Sequence, residues 1–275
     1  VGARLGCLTE AANSVGGYLA GALPRSGAHA GFNARTMFAD ARKAYVLLGA
    51  EPEFDCANPV AARGALEKAE FVVVMSPFRH GTQYADALLP VSPFTETAGT
   101  FVNCEGRAQS FNGVVKPLGE TRPAWKVLRV LGSLLGLPGF DFESIEDVRK
   151  SLPAAADIAA KLGNGSRIAI ATPATAASAL ERIADVPIHF ADPLARRARS
   201  LQQTADARPP RARMSALTLA QHGVADGAQV KVRQGRGEAV LTAVADPGVP
   251  AGVVRIAAAH PSTCGLEGLS GPVTV

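Results

Sequence analysis

Two short apolar runs, Lys43 to Leu48 (KAYVLL) and Phe71 to Met75 (FVVVM), restrict this chain more than any other feature. The first stops at Gly49 and the second at Ser76-Pro77, and neither alternates apolar with polar residues. That is the pattern of strands covered on both faces. Between them Asn58-Pro59 opens VAARGALEKAE, a helix-favouring segment with proline in its first turn and Glu and Lys near its end. Strand, helix, strand predicts a right-handed parallel unit. Ala87 to Leu89 is predicted as a further parallel strand. The segments that follow these strands, at 49 to 53, 76 to 83 and 90 to 97, then share the carboxyl edge, where open α/β sheets bind ligands.

Farther along, Thr121 and Pro123 are placed to cap and start a helix over AWKVLRVLGSLLGL. Its Trp125, Leu128, Leu131, Leu134 and Leu135 recur at helical spacing and are expected to pack into a core. The segment FDFESIEDVRKSLPAAADIAAKL is expected to cover the sheet. RIAIA at 167 to 171 is a candidate strand preceded by GNG at 163 to 165. A phosphate-binding glycine loop follows its strand, so GNG is read as a turn. No complete GxGxxG, GxxxxGK[ST] or GxSxG pattern is present, which weakens free nucleotide-binding and serine-hydrolase readings.

Composition shifts at Pro193. Through Arg213 the chain carries Arg196, Arg197, Arg199, Arg208, Arg211 and Arg213, opposed only by Asp206. With no interleaved aromatic and no lysine, nucleic acid is disfavoured. An exposed arm resting on an acidic neighbour is expected, because the guanidinium fork suits carboxylates. Beyond it, Ser215 to His222 predicts one short helix, QVKVRQGRGEAVLTAV two strands around a glycine turn, and Val253 to Ile256 another strand. The expected fold class is therefore α/β, a parallel-sheet region over 1–192, an Arg-rich linker over 193–213, and a small β-barrel over 214–275.

At 275 residues and 47% hydrophobic the chain can bury a sizeable core, and a net charge of +4 with 19% charged residues is far from a dedicated nucleic-acid binder. No apolar run reaches the roughly 18 residues of a membrane span, and no signal-peptide pattern is present, so a cytoplasmic protein is expected. The start at Val1 and the helix-like opening suggest a piece of a longer protein. Cys7, Cys56, Cys104 and Cys264 form no CxxC pair, so no metal site is expected and the thiols are read as buried and structural.

The stretch ADALLPVSPFTETAGTFVNCEGRAQ, residues 85 to 109, gathers Gly99, Thr100, Asn103, Glu105, Arg107 and Gln109. Asn103 offers donor and acceptor, Glu105 and Arg107 can pair, and Gly99 and Gly106 permit tight turns, so the loop can satisfy itself. The same groups could hold pterin nitrogens and phosphates, and the residues alone leave both readings open. ADALLP, ETAGTFVNCEGRAQ and RPAWKVLRVLG resemble the molybdopterin oxidoreductase superfamily. Within it, GCLTEAANSVGGYLAG, KAYVLLGAEPEFD, GFDFESIEDVR, RRARSLQQT and VRIAAAHPSTCGLEG resemble the pterin-fold iron–sulfur subunit family of bacterial NADH-quinone oxidoreductase, respiratory complex I.

That resemblance implies a parallel-sheet molybdopterin-oxidoreductase-like domain followed by a double-psi-like barrel. It implies a non-catalytic scaffold on the cytoplasmic side of the bacterial inner membrane, within a peripheral arm and beside that arm's other subunits. Iron–sulfur ligands would lie upstream of Val1, no catalytic residue is expected, and no cofactor is expected in the fragment, molybdopterin being disfavoured. Gly99, Thr100, Asn103, Glu105, Arg107 and Gln109 would be remnants of a pterin pocket. Cys104 is set aside as a molybdenum ligand, because the family's metal-ligating residue lies upstream of this motif. Of the histidines only His80 is expected near the carboxyl edge, as a loop residue bonded to backbone. The alternative is part of an active molybdopterin-dependent oxidoreductase such as a formate dehydrogenase, and a free α/β nucleotide-binding module is a weaker third reading.

Overall fold

A computed structural model describes residues 8–9, 11–24, 31–154, 157–158, 160 and 180–275. The candidate strand 167–171, the GNG turn at 163–165 and Cys7 lie outside the described residues. The chain divides into two compact units. The first comprises 1–33, 74–79 and 87–172; the second comprises 34–73, 80–86 and 173–275.

In chain order the elements begin with α1 (Ser14–Leu19), α2 (Ala34–Ala39), β1 (Ala44–Leu48), α3 (Pro52–Asp55), α4 (Pro59–Leu66), β2 (Phe71–Ser76) and β3 (Ala87–Pro90). Asn58 caps α4 as its sequence predicts, its side-chain oxygen accepting from Ala61 N at 2.9 Å, with Pro59 filling the first turn. Strands pair in the order β1-β2-β3. The Lys43 carbonyl, at the head of β1, accepts from Glu70 and Phe71 N at the head of β2. Asp86 N donates to Val72 O and Val91 N to Ser76 O, so β3 climbs beside β2 in the same direction. The sheet is parallel, as the sequence pattern predicts, but β1 is not covered on both faces: it alternates, with Val46 54% and Leu48 45% exposed.

The first unit continues with β4 (Gly99–Val102), β5 (Ala108–Phe111), α5 (Ala124–Leu134) and α6 (Ile145–Lys150). β4 and β5 form an antiparallel hairpin with Thr100 opposite Ser110 and Phe101 opposite Gln109. The α5 helix forms where expected, but Pro123 stands at its N-cap and Thr121 instead donates to Leu118 O at 2.8 Å. Its leucine stripe is not core. Leu134 is 80% exposed and Leu135 63%, and the buried residue of the helix is Gly132, on which the Phe140 ring packs. Helical spacing reveals an apolar face, not what covers it.

The second unit holds β6 (Leu180–Ile183), α7 (Pro193–Arg197), α8 (Arg199–Gln202), β7 (Ala212–Met214), α9 (Ala216–Gln221), β8 (Gln229–Gln234), β9 (Gly237–Ala245), β10 (Val253–Arg255) and β11 (Ser270–Val273). Six strands pair in the order β11-β6-β10-β7-β9-β8, with β6 and β10 parallel and β7 and β9 parallel. Arg233 and Thr274 exchange two backbone hydrogen bonds, which brings the two ends of that order together and curls the sheet. The alternation of QVKVRQ puts Val230, Val232 and Gln234 inside. Met214, Val232, Leu241, Ile256 and Leu266 fill the core. Gly237 and Gly265 allow neighbouring backbone segments to touch. A Cβ on Gly237 would lie 2.1 Å from Gly265 O, and one on Gly265 would lie 2.5 Å from Glu238 O.

Candidate functional site

The motif hairpin of the first unit ties itself together. Asn103 Oδ1 accepts from Glu105 N at 3.1 Å and from Arg107 N at 2.9 Å, while Asn103 N donates to Arg107 O. Gly106 makes the turn at φ +80. Thr100 Oγ1 lies 2.9 Å from Ser110 Oγ, and Arg149 of α6 reaches Thr100 Oγ1 and the carbonyls of Gly99 and Phe111. Phe101 and Phe111 meet edge to face at 5.1 Å. Asn13, just before α1, accepts from Val102 N at 2.9 Å and so fixes that helix to the hairpin.

The remaining motif residues point outward. Glu105, Arg107 and Gln109 are exposed, and among the described residues the expected Glu105–Arg107 pair does not form. Cys104 is exposed too, whereas Cys56 and Cys264 are half-buried, so the reading of all four thiols as core residues fails at the hairpin tip.

A second polar cluster sits at the carboxyl end of β1 in the second unit. Glu51, only 2% exposed, accepts from Arg196 Nη1 at 2.9 Å and lies 2.6 Å from Arg197 Nη2. Arg196 also donates from Nε to Phe190 O, pairs with Asp55 and stacks over the Phe54 ring at 5.0 Å. Burial alone would raise the Glu51 carboxyl, but the Arg197 and Arg196 hydrogen bonds outweigh it and hold the group below the usual carboxylate range. The arginine arm therefore begins as two short helices clamped onto an acid of its own unit.

Near Glu51, both ring nitrogens of His80 are buried without a hydrogen-bond partner among the described residues. His80 does reach the carboxyl-edge cluster but lacks the backbone bond expected of it. Burial, then Glu53, pushes the Tyr84 phenol up. Gly81 turns the chain between them at φ +66, where a Cβ would strike the Tyr84 ring at 2.8 Å. Buried polar groups left without partners are costly and mark a place where structure has been given up for something else.

The rest of the arm lines a polar cleft of about 480 Å³. Arg208, Arg211, Arg213 and Arg255 face it against Asp185 and Asp206. Arg255 grips Asp185 with a two-pronged contact at 3.0 and 3.2 Å, and Arg213 pairs with Asp246 at 3.2 Å. Arg208 and Arg211 have no ion-pair partner among the described residues, so the cleft is left electropositive. Two free guanidinium groups suit phosphate oxygens, and nearby carboxylates suit the amino and ring N–H groups of a pterin or purine. The cleft comes from Arg208 and Arg211, which the sequence marks as an arginine run, joined to Asp185 and Arg255, which nothing in the sequence singles out.

Two family models match the chain, "Molybdopterin oxidoreductase" over residues 3–134 and "Molydopterin dinucleotide binding domain" over residues 194–271. Putative formate dehydrogenases of Staphylococcus haemolyticus (strain JCSC1435) and Staphylococcus aureus (strain USA300) are each 41% identical over 75 residues, 27% of this chain and 8% of theirs. Among solved structures, acetylene hydratase from Pelobacter acetylenicus superposes with a TM-score of 0.55 at 18% identity, over 85% of this chain and 41% of that one. This likeness concerns the fold alone. The expectation of a fragment without cofactor, with molybdopterin disfavoured, is overturned. The dinucleotide-binding match covers Arg208, Arg211, Arg213 and Arg255, and the cleft they line has the donors such a group needs.

Proposed function

From a chain that carries a molybdopterin oxidoreductase segment and a molybdopterin dinucleotide-binding domain, we propose a portion of a molybdopterin-dependent oxidoreductase of the formate dehydrogenase type. The observation that carries this reading is the electropositive cleft lined mostly from residues 194–271, where Arg208 and Arg211 have no carboxylate partner among the described residues. In it Arg208 and Arg211 hold the phosphates of the dinucleotide by charge-assisted hydrogen bonds, and Asp206 accepts from its N–H groups. Asp185 keeps Arg255 in place at the wall. The bound group itself supplies two-electron oxidation and reduction at the substrate. Two parallel pairs within a largely antiparallel order support the double-psi-like reading of the curled sheet.

Formate as the substrate rests on the names of the relatives, of which the matched stretch covers 8%. The narrower complex I reading draws no support from them, and the formate dehydrogenase reading fits better. The test is molybdenum and pterin content of the whole parent protein, purified with and without Arg208→Ala and Arg211→Ala together. Near-stoichiometric pterin in the parent and at least a tenfold loss in the double variant, with an unchanged melting temperature, is the expected result. A parent free of pterin and molybdenum would remove the proposal, and full retention in the double variant would remove the cleft from it.

A further inference from the structure

The first unit bears a groove of about 550 Å³ along α5, lined mainly by apolar side chains that include Leu89, Trp125, Val130, Leu134 and Phe142. At about 100° per residue, Val127, Val130, Leu131 and Leu134 fall within about 100° of arc, one stripe of the helix. One edge of the stripe is open to solvent, with Val130 52% exposed and Leu134 80%, while Val127 and Leu131 are half-buried, and exposed Leu135 and Leu137 extend it beyond the helix end. A stripe this continuous is the mark of an interaction surface rather than of scattered surface leucines.

The lining also carries Arg122, Lys126 and Arg129 against the single carboxylate of Glu143. Among the described residues Arg122 has only the exposed Glu120 as ion-pair partner, and Lys126 lies 5.4 Å over the Trp125 ring. The Nε of Arg129 is buried and makes no hydrogen bond among the described residues. A donor left unmet inside an apolar groove calls for an acceptor from outside the unit.

We propose that this groove docks an amphipathic acidic helix of a partner protein, its apolar face on Val127, Val130, Leu131 and Leu134 and its flanking carboxylates on Lys126, Arg122 and Arg129. An open groove along a helix suits a second helix set down on it by anchors at i, i+3/i+4 and i+7. The excess of cations at the groove selects the sign of that helix.

Trp125 is the chain's single tryptophan and lines the groove, so its fluorescence reports occupancy directly. The probe is a synthetic helix of roughly 18 residues with leucines at this spacing and glutamates on both flanks, set against the same peptide with lysines for glutamates. The acidic peptide is expected to shift Trp125 emission saturably, the lysine peptide to bind at least tenfold more weakly, and salt to weaken the acidic complex. Arg122→Glu with Lys126→Glu should reverse the preference, and Leu134→Asp, at an exposed position, should abolish binding without changing the circular dichroism spectrum. Equal binding of both peptides, or none of either, overturns the proposal. So does concentration-dependent dimerisation in sedimentation that Leu134→Asp abolishes, since a second copy would then be the occupant.

Discussion

Replacing Glu51 by Gln tests the clamp between the carboxyl end of β1 and the arginine arm. Glu51 is 2% exposed and the Arg196 side chain 7%, so water contributes little screening to their contact. Removing one partner of such a pair strands the other, at a cost of about 3–5 kcal/mol. Arg196 keeps Asp55, the Phe190 carbonyl and the Phe54 ring after the change, and Arg197 is already partly solvated, which places the expected loss near the lower bound, about 3 kcal/mol at pH 7. Urea unfolding of the chain and its variant reads this as a fall in midpoint at unchanged slope.

The pH dependence has a fixed sign. The native carboxyl of Glu51 titrates below its unfolded value of 4.5, so the clamp is fully stabilising above that value and is lost as pH falls through the native pKa. The wild-type midpoint should therefore drop on acidification below pH 4.5, and Glu51→Gln should flatten that limb while lying lower at neutral pH. A neutral-pH loss under about 1 kcal/mol, the value of an exposed pair, would refute the reasoning, as would an acid limb identical in both proteins.

Three further substitutions probe other parts of the fold. Asn103→Ala leaves the N–H groups of Glu105 and Arg107 without their acceptor and should cost about 1–2 kcal/mol, with Asn103→Asp close to wild type, both read from urea midpoints. Gly237→Ala drives a methyl to 2.1 Å from the Gly265 carbonyl, where only backbone movement relieves it, so a loss of about 2 kcal/mol or more is expected in thermal unfolding. Gln234→Leu removes the oxygen that accepts from buried Arg182 at 2.9 Å and from Gly268 N at 3.2 Å, and a destabilisation of about 3 kcal/mol in urea follows from one charged and one neutral donor left unmet.

The parallel unit was legible because its signals are local. KAYVLL and FVVVM mark two strands by local composition, although β1 proves to be covered on one face only, and Asn58-Pro59 names the start of α4 by cap chemistry. The alternation in QVKVRQ marked a strand of the curled sheet for the same reason, and its Val230, Val232 and Gln234 are the buried positions. What the sequence hid depends on distance along the chain. Arg196 and Glu51 meet across a separation that no periodicity encodes, so the arm's acidic neighbour could be expected but not located. Arg182, buried with Gln234, Gly268 and Ile256 as its partners, sits in LERI and looks there like a surface charge.

The motif hairpin shows why a family pattern alone assigned the cofactor wrongly. Asn103 is spent on its own turn and Thr100 on Ser110 and Arg149, and a loop that satisfies itself argues for a scaffold. Yet satisfaction of one loop says nothing about donors elsewhere. In the second unit, among the described residues, Arg208 and Arg211 have no carboxylate partner and the ring nitrogens of His80 are buried without a hydrogen-bond partner. A fold that only had to be stable would gain by burying an apolar side chain at position 80, since an unpaired buried imidazole costs free energy that a leucine of similar size does not.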